Sequence, residues 1–209
     1  MTTALLAEIR AEFPTFRIVP KSDSALSWWI DWGLRIVTLG GQCSYRSRYH
    51  TVIGSTLYVC PSWHHMADVE RVILLRHERV HLRQRARYSL PVFVSVYLFL
   101  WLPLGLSWGR ARLEWEAYTE TLRATRDLLG PSALHSASLR REIIQRFTGP
   151  DYGWMWPFRA SVERWYDRAL QEISADPLGS LTSQSAPSFP NVASSESAPS
   201  PHPQTQELP

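Results

Sequence analysis

The stretch from Val69 to Tyr88 reads VERVILLRHERVHLRQRARY and contains the pattern H-E-x-x-H at residues 77–81. Apolar residues recur at helical spacing along it, so the stretch is predicted to form a helix. On a helix, His77 and His81 project from one face and can bind the same Zn²⁺ ion. Glu78 then lies beside the metal, where it can act as a general base toward water.

Seven histidines in 209 residues would produce this pattern by chance in roughly one chain in a hundred. The alternative is a half-buried, arginine-rich helix whose two histidines only form hydrogen bonds. Two imidazoles do not complete a catalytic zinc site, because such a site takes three protein ligands and keeps one position open. A third ligand is therefore expected elsewhere in the chain.

A second predicted helix, residues 109–129 with the sequence GRARLEWEAYTETLRATRDLL, ends before Gly130-Pro131. One charged stripe of this helix is predicted to form a solvated face: Glu116, Glu120, Arg123 and Asp127. Glu114 lies on a different face, among small or moderately polar residues against which another helix can pack. A carboxylate buried on that face needs a partner, and zinc would be one.

The pattern from His77 to His81, followed by Glu114-Trp115-Glu116-Ala117, resembles the HExxH plus E-x-x-A arrangement of gluzincin metallopeptidases. The compact region upstream is similar to the small minigluzincins, and the resemblance extends over residues 34–129. It implies that Glu114 is the third ligand of one zinc ion per chain. It also implies a hydrolase that cleaves peptide or protein substrates, with Glu78 activating the attacking water. Two imidazoles and one carboxylate suit zinc best among the divalent ions.

The region before the zinc helix is predicted to form a short sheet. Leu34–Leu39 reads as a strand, and Tyr45–Ile53 with Thr56–Cys60 reads as a hairpin around Gly54-Ser55. In gluzincins the strand that precedes the zinc helix is the sheet edge beside the cleft. The resemblance therefore implies that four residues bind substrate backbone by strand addition: Thr56, Leu57, Tyr58 and Val59. The alternative is an edge strand that another part of the chain covers.

Residues 89–108, SLPVFVSVYLFLWLPLGLSW, carry no charged side chain and have arginines on both flanks, which is the pattern of a membrane span. A single span would put His77 and Glu114 about 30 Å apart, on opposite sides of the bilayer. A span and a three-ligand zinc site therefore exclude each other. The segment is interpreted as a buried hairpin or a membrane-dipping segment, either of which can bring the site to a membrane surface.

Composition and pattern predict one compact α+β domain over residues 1–174, with 44% hydrophobic residues and ten tryptophans to build a core. In this domain a small antiparallel or mixed sheet packs on the zinc-binding helix, and the C-terminal half is mainly helical. Residues 175–209 are rich in Ser and Pro and are predicted to be a disordered tail. Cys43 and Cys60 are too few for a disulfide framework and are expected to be free, buried thiols.

The charge balance argues against a nucleic-acid partner, because 22 basic and 19 acidic residues leave a net charge of only +3. Residues 1–13 lack the pattern of a secretory signal, so a cytoplasmic or membrane-associated location is expected. The competing interpretation is a non-catalytic membrane-associated or scaffold protein in which residues 89–108 are the functional element. A third interpretation keeps zinc binding without catalysis.

Overall fold

The computed structural model of the protein describes residues 1–23, 50–87, 108–149 and 154–175, and these contain an N-terminal helix, a small sheet and then further helices. The elements in chain order are α1 (Thr2–Glu12), β1 (Arg17–Pro20), a 3₁₀ turn (Lys21–Asp23), β2 (Thr51–Ile53), β3 (Thr56–Val59), a second 3₁₀ turn (Pro61–His65), α2 (Asp68–Arg87), α3 (Trp108–Leu129), α4 (Pro131–Leu134), α5 (Ala137–Thr148) and α6 (Arg159–Ala175). The prediction of an α+β fold with a small mixed sheet and a mainly helical C-terminal half is therefore confirmed.

Four sequence predictions lie wholly or mostly outside the described residues. These are the strand at Leu34–Leu39, the structure of the apolar segment 89–108 before Trp108, the disordered tail beyond Ala175, and the state of Cys43. Cys60 is described, and it is a buried free thiol as predicted.

The three strands are ordered β1-β3-β2, with β3 parallel to β1 and antiparallel to β2. The hairpin between β2 and β3 turns at Gly54, whose φ of 67° suits glycine. Because β3 is paired on both sides, the prediction that Thr56–Val59 bind substrate by strand addition is wrong, since strand addition needs an open edge. The alternative, in which another part of the chain covers this strand, is correct, and β1 is that part.

The sheet packs on α2 through the first of two apolar cores. Leu57 and Val59 of β3 meet Leu75 and Leu82 of α2, and Ile9 of α1 closes the cluster. A second core joins the C-terminal helices around an aromatic centre in which the rings of Trp115, Phe147 and Trp165 are in mutual contact. Helix α2 contributes to the first core and α3 to the second, so the contact between α2 and α3 lies between them.

Helices α2 and α3 pack side by side and run antiparallel. At the middle of α2, Arg76 donates hydrogen bonds to Glu120 at 2.7 Å and Asp127 at 2.9 Å, and near the end of α2 Gln84 donates to the Leu113 carbonyl at 2.9 Å. Glu120 and Asp127 are thus bonded to a neighbouring helix, whereas the sequence predicted a solvated face with opposite-charge pairing along the stripe. The sequence pattern located the stripe but could not show that α2 lies against it.

The antiparallel contact also decides where Arg87 and Trp108, which border residues 88–107, lie. Arg87 ends α2 and Trp108 begins α3 at the same end of the helix pair, so the two helices cannot lie on opposite sides of a bilayer. Within the parts of the chain that the structure describes, no helix combines the length and apolar character needed to cross a membrane.

Candidate metal centre

The three predicted ligands converge where α2 contacts α3. The Nε2 atoms of His77 and His81 are 3.2 Å apart, and Glu114 Oε2 lies 3.9 Å from the first and 3.7 Å from the second. In a tetrahedral site with metal–ligand bonds of about 2.0–2.1 Å, ligand atoms are separated by roughly 3.4 Å. The side chains can therefore hold one metal ion between them, and two imidazoles with one carboxylate suit zinc.

His81 is oriented by Gln84, which lies three residues further along α2. The imidazole Nδ1 is 3.0 Å from Gln84 Oε1, and the Gln84 amide nitrogen donates at 2.9 Å to both the Leu113 carbonyl and Glu116 Oε2. Those two bonds fix the orientation of the Gln84 side-chain amide. Its oxygen therefore accepts a hydrogen bond from His81 Nδ1. The Nε2 atom of His81 is then directed toward the other ligands, as a metal-binding histidine requires.

His77 is oriented in a similar way by α3. Its Nδ1 atom lies 3.0 Å from Thr121 Oγ1, and that hydroxyl donates its own hydrogen to the Ala117 carbonyl at 3.2 Å. The hydroxyl therefore accepts from the imidazole, which leaves the Nε2 lone pair of His77 available for a metal. Thr121 was not predicted as a site residue. It lies seven residues after Glu114 on the same face of the helix, and this spacing could have indicated it.

The charges of the three ligands are strongly coupled. Burial lowers the pKa of His77, and the neighbouring His81 cation lowers it further, to about 3. Burial also disfavours the charged form of His81, but the Glu114 carboxylate outweighs it and raises the pKa of His81 to about 9. Burial would raise the pKa of Glu114, yet the His81 cation holds it at about 2. Without a metal ion, His81 and Glu114 therefore form a buried ion pair beside a neutral His77.

Zinc binding is expected to release about one proton per ion at pH 7, because only a neutral imidazole binds metal and the pKa of His81 is about 9. The apparent zinc affinity should then rise about tenfold per pH unit up to that pKa and fall as the solution is acidified. Calorimetric titration in buffers of different ionisation enthalpy measures the released protons. A Glu78→Gln variant serves as the control, since the Glu78 carboxyl titrates near pH 7. A zinc affinity that does not change between pH 6 and 8 would contradict His81 as a zinc ligand.

Glu78 is 6% exposed and lies next to the ligands in the chain. Burial raises its pKa to about 7; the Glu114 carboxylate adds to the increase, whereas the His81 and Lys21 cations oppose it. Its pKa is thus near neutrality, where a carboxyl group is effective both in accepting and in donating a proton.

Lys21 is a buried cation near Glu78 that sequence reasoning did not single out. It is the single lysine among 22 basic residues of the chain, and it is only 1% exposed. Its Nζ donates to Thr51 Oγ1 at 3.2 Å, and its charge acts on Glu78. The presence of a single lysine in a chain that otherwise uses arginine could have drawn attention to this residue. Only the fold shows that this lysine is buried near the candidate base.

Arg79 and Arg83 belong to the motif helix but face away from the ligands. Arg79 donates to Glu12 at 2.7 Å and to Glu8 at 3.1 Å, and Arg83 donates to Glu12 at 2.6 Å and 3.0 Å. The two arginines thus attach α1 to the outer side of α2. This explains how an arginine can lie inside the HExxH pattern without disturbing the charge balance of the site.

The chain matches no protein-family model, no curated protein and no solved structure. Of the predicted site residues, His77, His81 and Glu114 are brought together, and Glu78 is buried beside them. Thr56–Val59 lie instead in the middle of the sheet.

Proposed function

We propose that this protein is a zinc-dependent metallopeptidase of the gluzincin type. The ligands are His77, His81 and Glu114, and Glu78 is the general base. The observation that supports the proposal is the convergence of three ligand atoms from two helices, with both imidazoles oriented by hydrogen bonds through Nδ1. A buried ion pair between His81 and Glu114 alone would not need a second imidazole, neutral His77, whose Nε2 atom lies 3.9 Å from the same carboxylate oxygen.

The roles of the residues follow from their positions. When bound, zinc supplies a Lewis acid that activates water and polarises the scissile carbonyl. Glu78 accepts a proton from the attacking water and delivers it to the leaving amine, which its pKa of about 7 allows in both directions. Gln84 and Thr121 hold the two histidines in the tautomer that binds metal. Lys21 opposes protonation of Glu78 through its charge.

The proposal is tested first by metal content and by removal of the metal. Elemental analysis of the purified protein should find about one zinc per chain. The protein should cleave peptides in a mixed library or a denatured protein. Treatment with 1,10-phenanthroline should abolish cleavage, added zinc should restore it, and the non-chelating 1,7-isomer should have no effect.

Two outcomes would favour the competing interpretations. One zinc per chain without cleavage of any peptide would support a site that binds metal without catalysis. Absence of zinc from protein purified without chelators, together with no binding of added zinc, would contradict the metallopeptidase proposal. It would leave the non-catalytic membrane-associated or scaffold protein as the better interpretation.

A further inference from the structure

Three large aromatic side chains are about half exposed in the described part of the chain. Trp108 is 45% exposed, Trp154 is 54% exposed and Phe158 is 51% exposed. Trp108 begins α3, whereas the other two precede α6. Rings of this size are ordinarily buried, so several exposed rings on one surface would indicate a contact with something apolar.

The three aromatic residues lie at or just before the N-terminal end of the α3–α6 helix pair, because α3 and α6 run parallel. The rings of Trp115 and Trp165 are 5.8 Å apart near the starts of these helices, and Arg126 Nη1 donates to the Ile173 carbonyl at 2.8 Å near their ends. Trp108 precedes Trp115 by seven residues, and Phe158 precedes Trp165 by seven residues as well. Trp154 lies four residues before Phe158, in the turn that leads into α6.

Arginines accompany the aromatic rings at this end. His81 of α2 lies beside Glu114 of α3. Arg87 is six residues after His81 and Trp108 is six residues before Glu114, so in this antiparallel pair both lie toward the same end. Arg87 is exposed, and the guanidinium of Arg112 lies 5.7 Å from the centre of the Trp108 ring. Tryptophan and arginine together are typical of protein surfaces at the boundary between lipid and water.

Arg87 ends α2 and Trp108 begins α3 at this same end. The intervening residues 88–107 contain no Asp, Glu, Lys or Arg in 20 positions. The turn before α6 adds a second observation, since Trp154 has a φ of 50° and its amide donates to the Gly149 carbonyl at 2.9 Å. A positive φ costs free energy for a residue other than glycine, and here it accompanies an exposed ring.

We propose that this aromatic end, formed by Arg87, Trp108, Arg112, Trp154 and Phe158, docks on the surface of an anionic lipid bilayer. The rings enter the interface and the guanidinium groups meet lipid phosphates. The ligands His81 and Glu114 lie six helical residues from this surface, which corresponds to about 9 Å. Building on the proposed metallopeptidase function, the substrates are then polypeptide segments that emerge from the bilayer or lie on it.

The experiment is vesicle flotation with the purified full chain. Wild-type protein should float with vesicles of phosphatidylcholine and phosphatidylglycerol, and more weakly with phosphatidylcholine alone. The combined changes Trp108→Ser, Trp154→Ser and Phe158→Ser should lower the bound fraction about tenfold or more. The matched control is Leu129→Ser, because Leu129 is 52% exposed at the opposite end of α3, and this variant should float like the wild type.

Three results would overturn the docking proposal. The first is wild-type protein that floats with neither vesicle, and the second is a triple variant that floats as well as the wild type. The third is a wild-type dimer in light scattering that becomes monomeric in the triple variant without any lipid binding, which would identify a second copy of the chain as the occupant.

Zinc content and cleavage of a soluble peptide separate this proposal from the proposed function. If the docking proposal is correct, the triple variant retains its zinc content and its peptide cleavage and loses only vesicle binding. Retention of zinc and activity also shows that the triple variant is folded. Vesicle binding by a wild-type protein that holds no zinc would support docking and contradict the metallopeptidase.

Discussion

Replacing Glu78 with Gln is expected to lower kcat/KM for peptide hydrolysis by about 10²–10⁴-fold, the range that a general base contributes, while zinc stays at one per chain. The amide has nearly the shape of the carboxylate but cannot accept a proton. Zinc is retained because Glu78 is not among the three converging ligands. Steady-state kinetics and elemental analysis on the same preparation measure both quantities.

Glu70→Gln is the matched control for this change. Glu70 also lies on α2, but it is exposed, and its carboxylate accepts a hydrogen bond from the Ala67 amide at 2.9 Å. A glutamine oxygen can accept the same bond, so activity should stay within about twofold. Full activity in Glu78→Gln with zinc present would exclude Glu78 as the base. Loss of zinc from that variant would instead assign Glu78 a structural role.

Replacing Glu114 with Gln is expected to weaken zinc binding by at least about a hundredfold. Changes that only disturb the orientation of a ligand typically cost 10–100-fold, and removal of a ligand should cost more. The same change removes the carboxylate that raises the pKa of His81, so burial should then lower that pKa. Zinc binding to the variant should consequently release fewer protons at pH 7 than binding to the wild type.

Glu116→Gln is the control on the same helix, two residues from Glu114. Glu116 accepts a hydrogen bond from Gln84 at 2.9 Å but is not one of the converging ligands. A glutamine oxygen can accept that bond, and Gln84 keeps its second bond to the Leu113 carbonyl, so zinc affinity should fall by less than tenfold. Competition with a chromogenic chelator measures both variants. Equal affinities would rule out Glu114 as the third ligand.

The helices were the part of the fold that local patterns predicted best. The motif helix was expected over residues 69–88 and is α2 (Asp68–Arg87), and the second was expected over residues 109–129 and is α3 (Trp108–Leu129). Their apolar periodicity and the Gly130-Pro131 stop are signals carried within each segment. The predicted hairpin around Gly54-Ser55 was located for the same reason, since a tight turn is also a local feature.

The position of β3 in the sheet could not be predicted in this way. Its antiparallel partner β2 is adjacent in sequence, but its parallel partner β1 precedes β2 by 30 residues. Parallel strands need a long connection, and no local pattern marks which distant segment pairs with which. The assumed edge strand was therefore found in the middle of the sheet.

The sequence by itself determined that His77 and His81 share a helix face, because their spacing of four is close to one helical turn. It also singled out Glu114, because the other carboxylates of that helix follow a charged stripe. Only the tertiary structure brought Glu114 Oε2 to within 3.9 Å of both imidazoles, and buried Lys21 near Glu78. The physical reason is that helical periodicity is encoded in neighbouring residues. The contact between two helices depends on how distant apolar faces pack together.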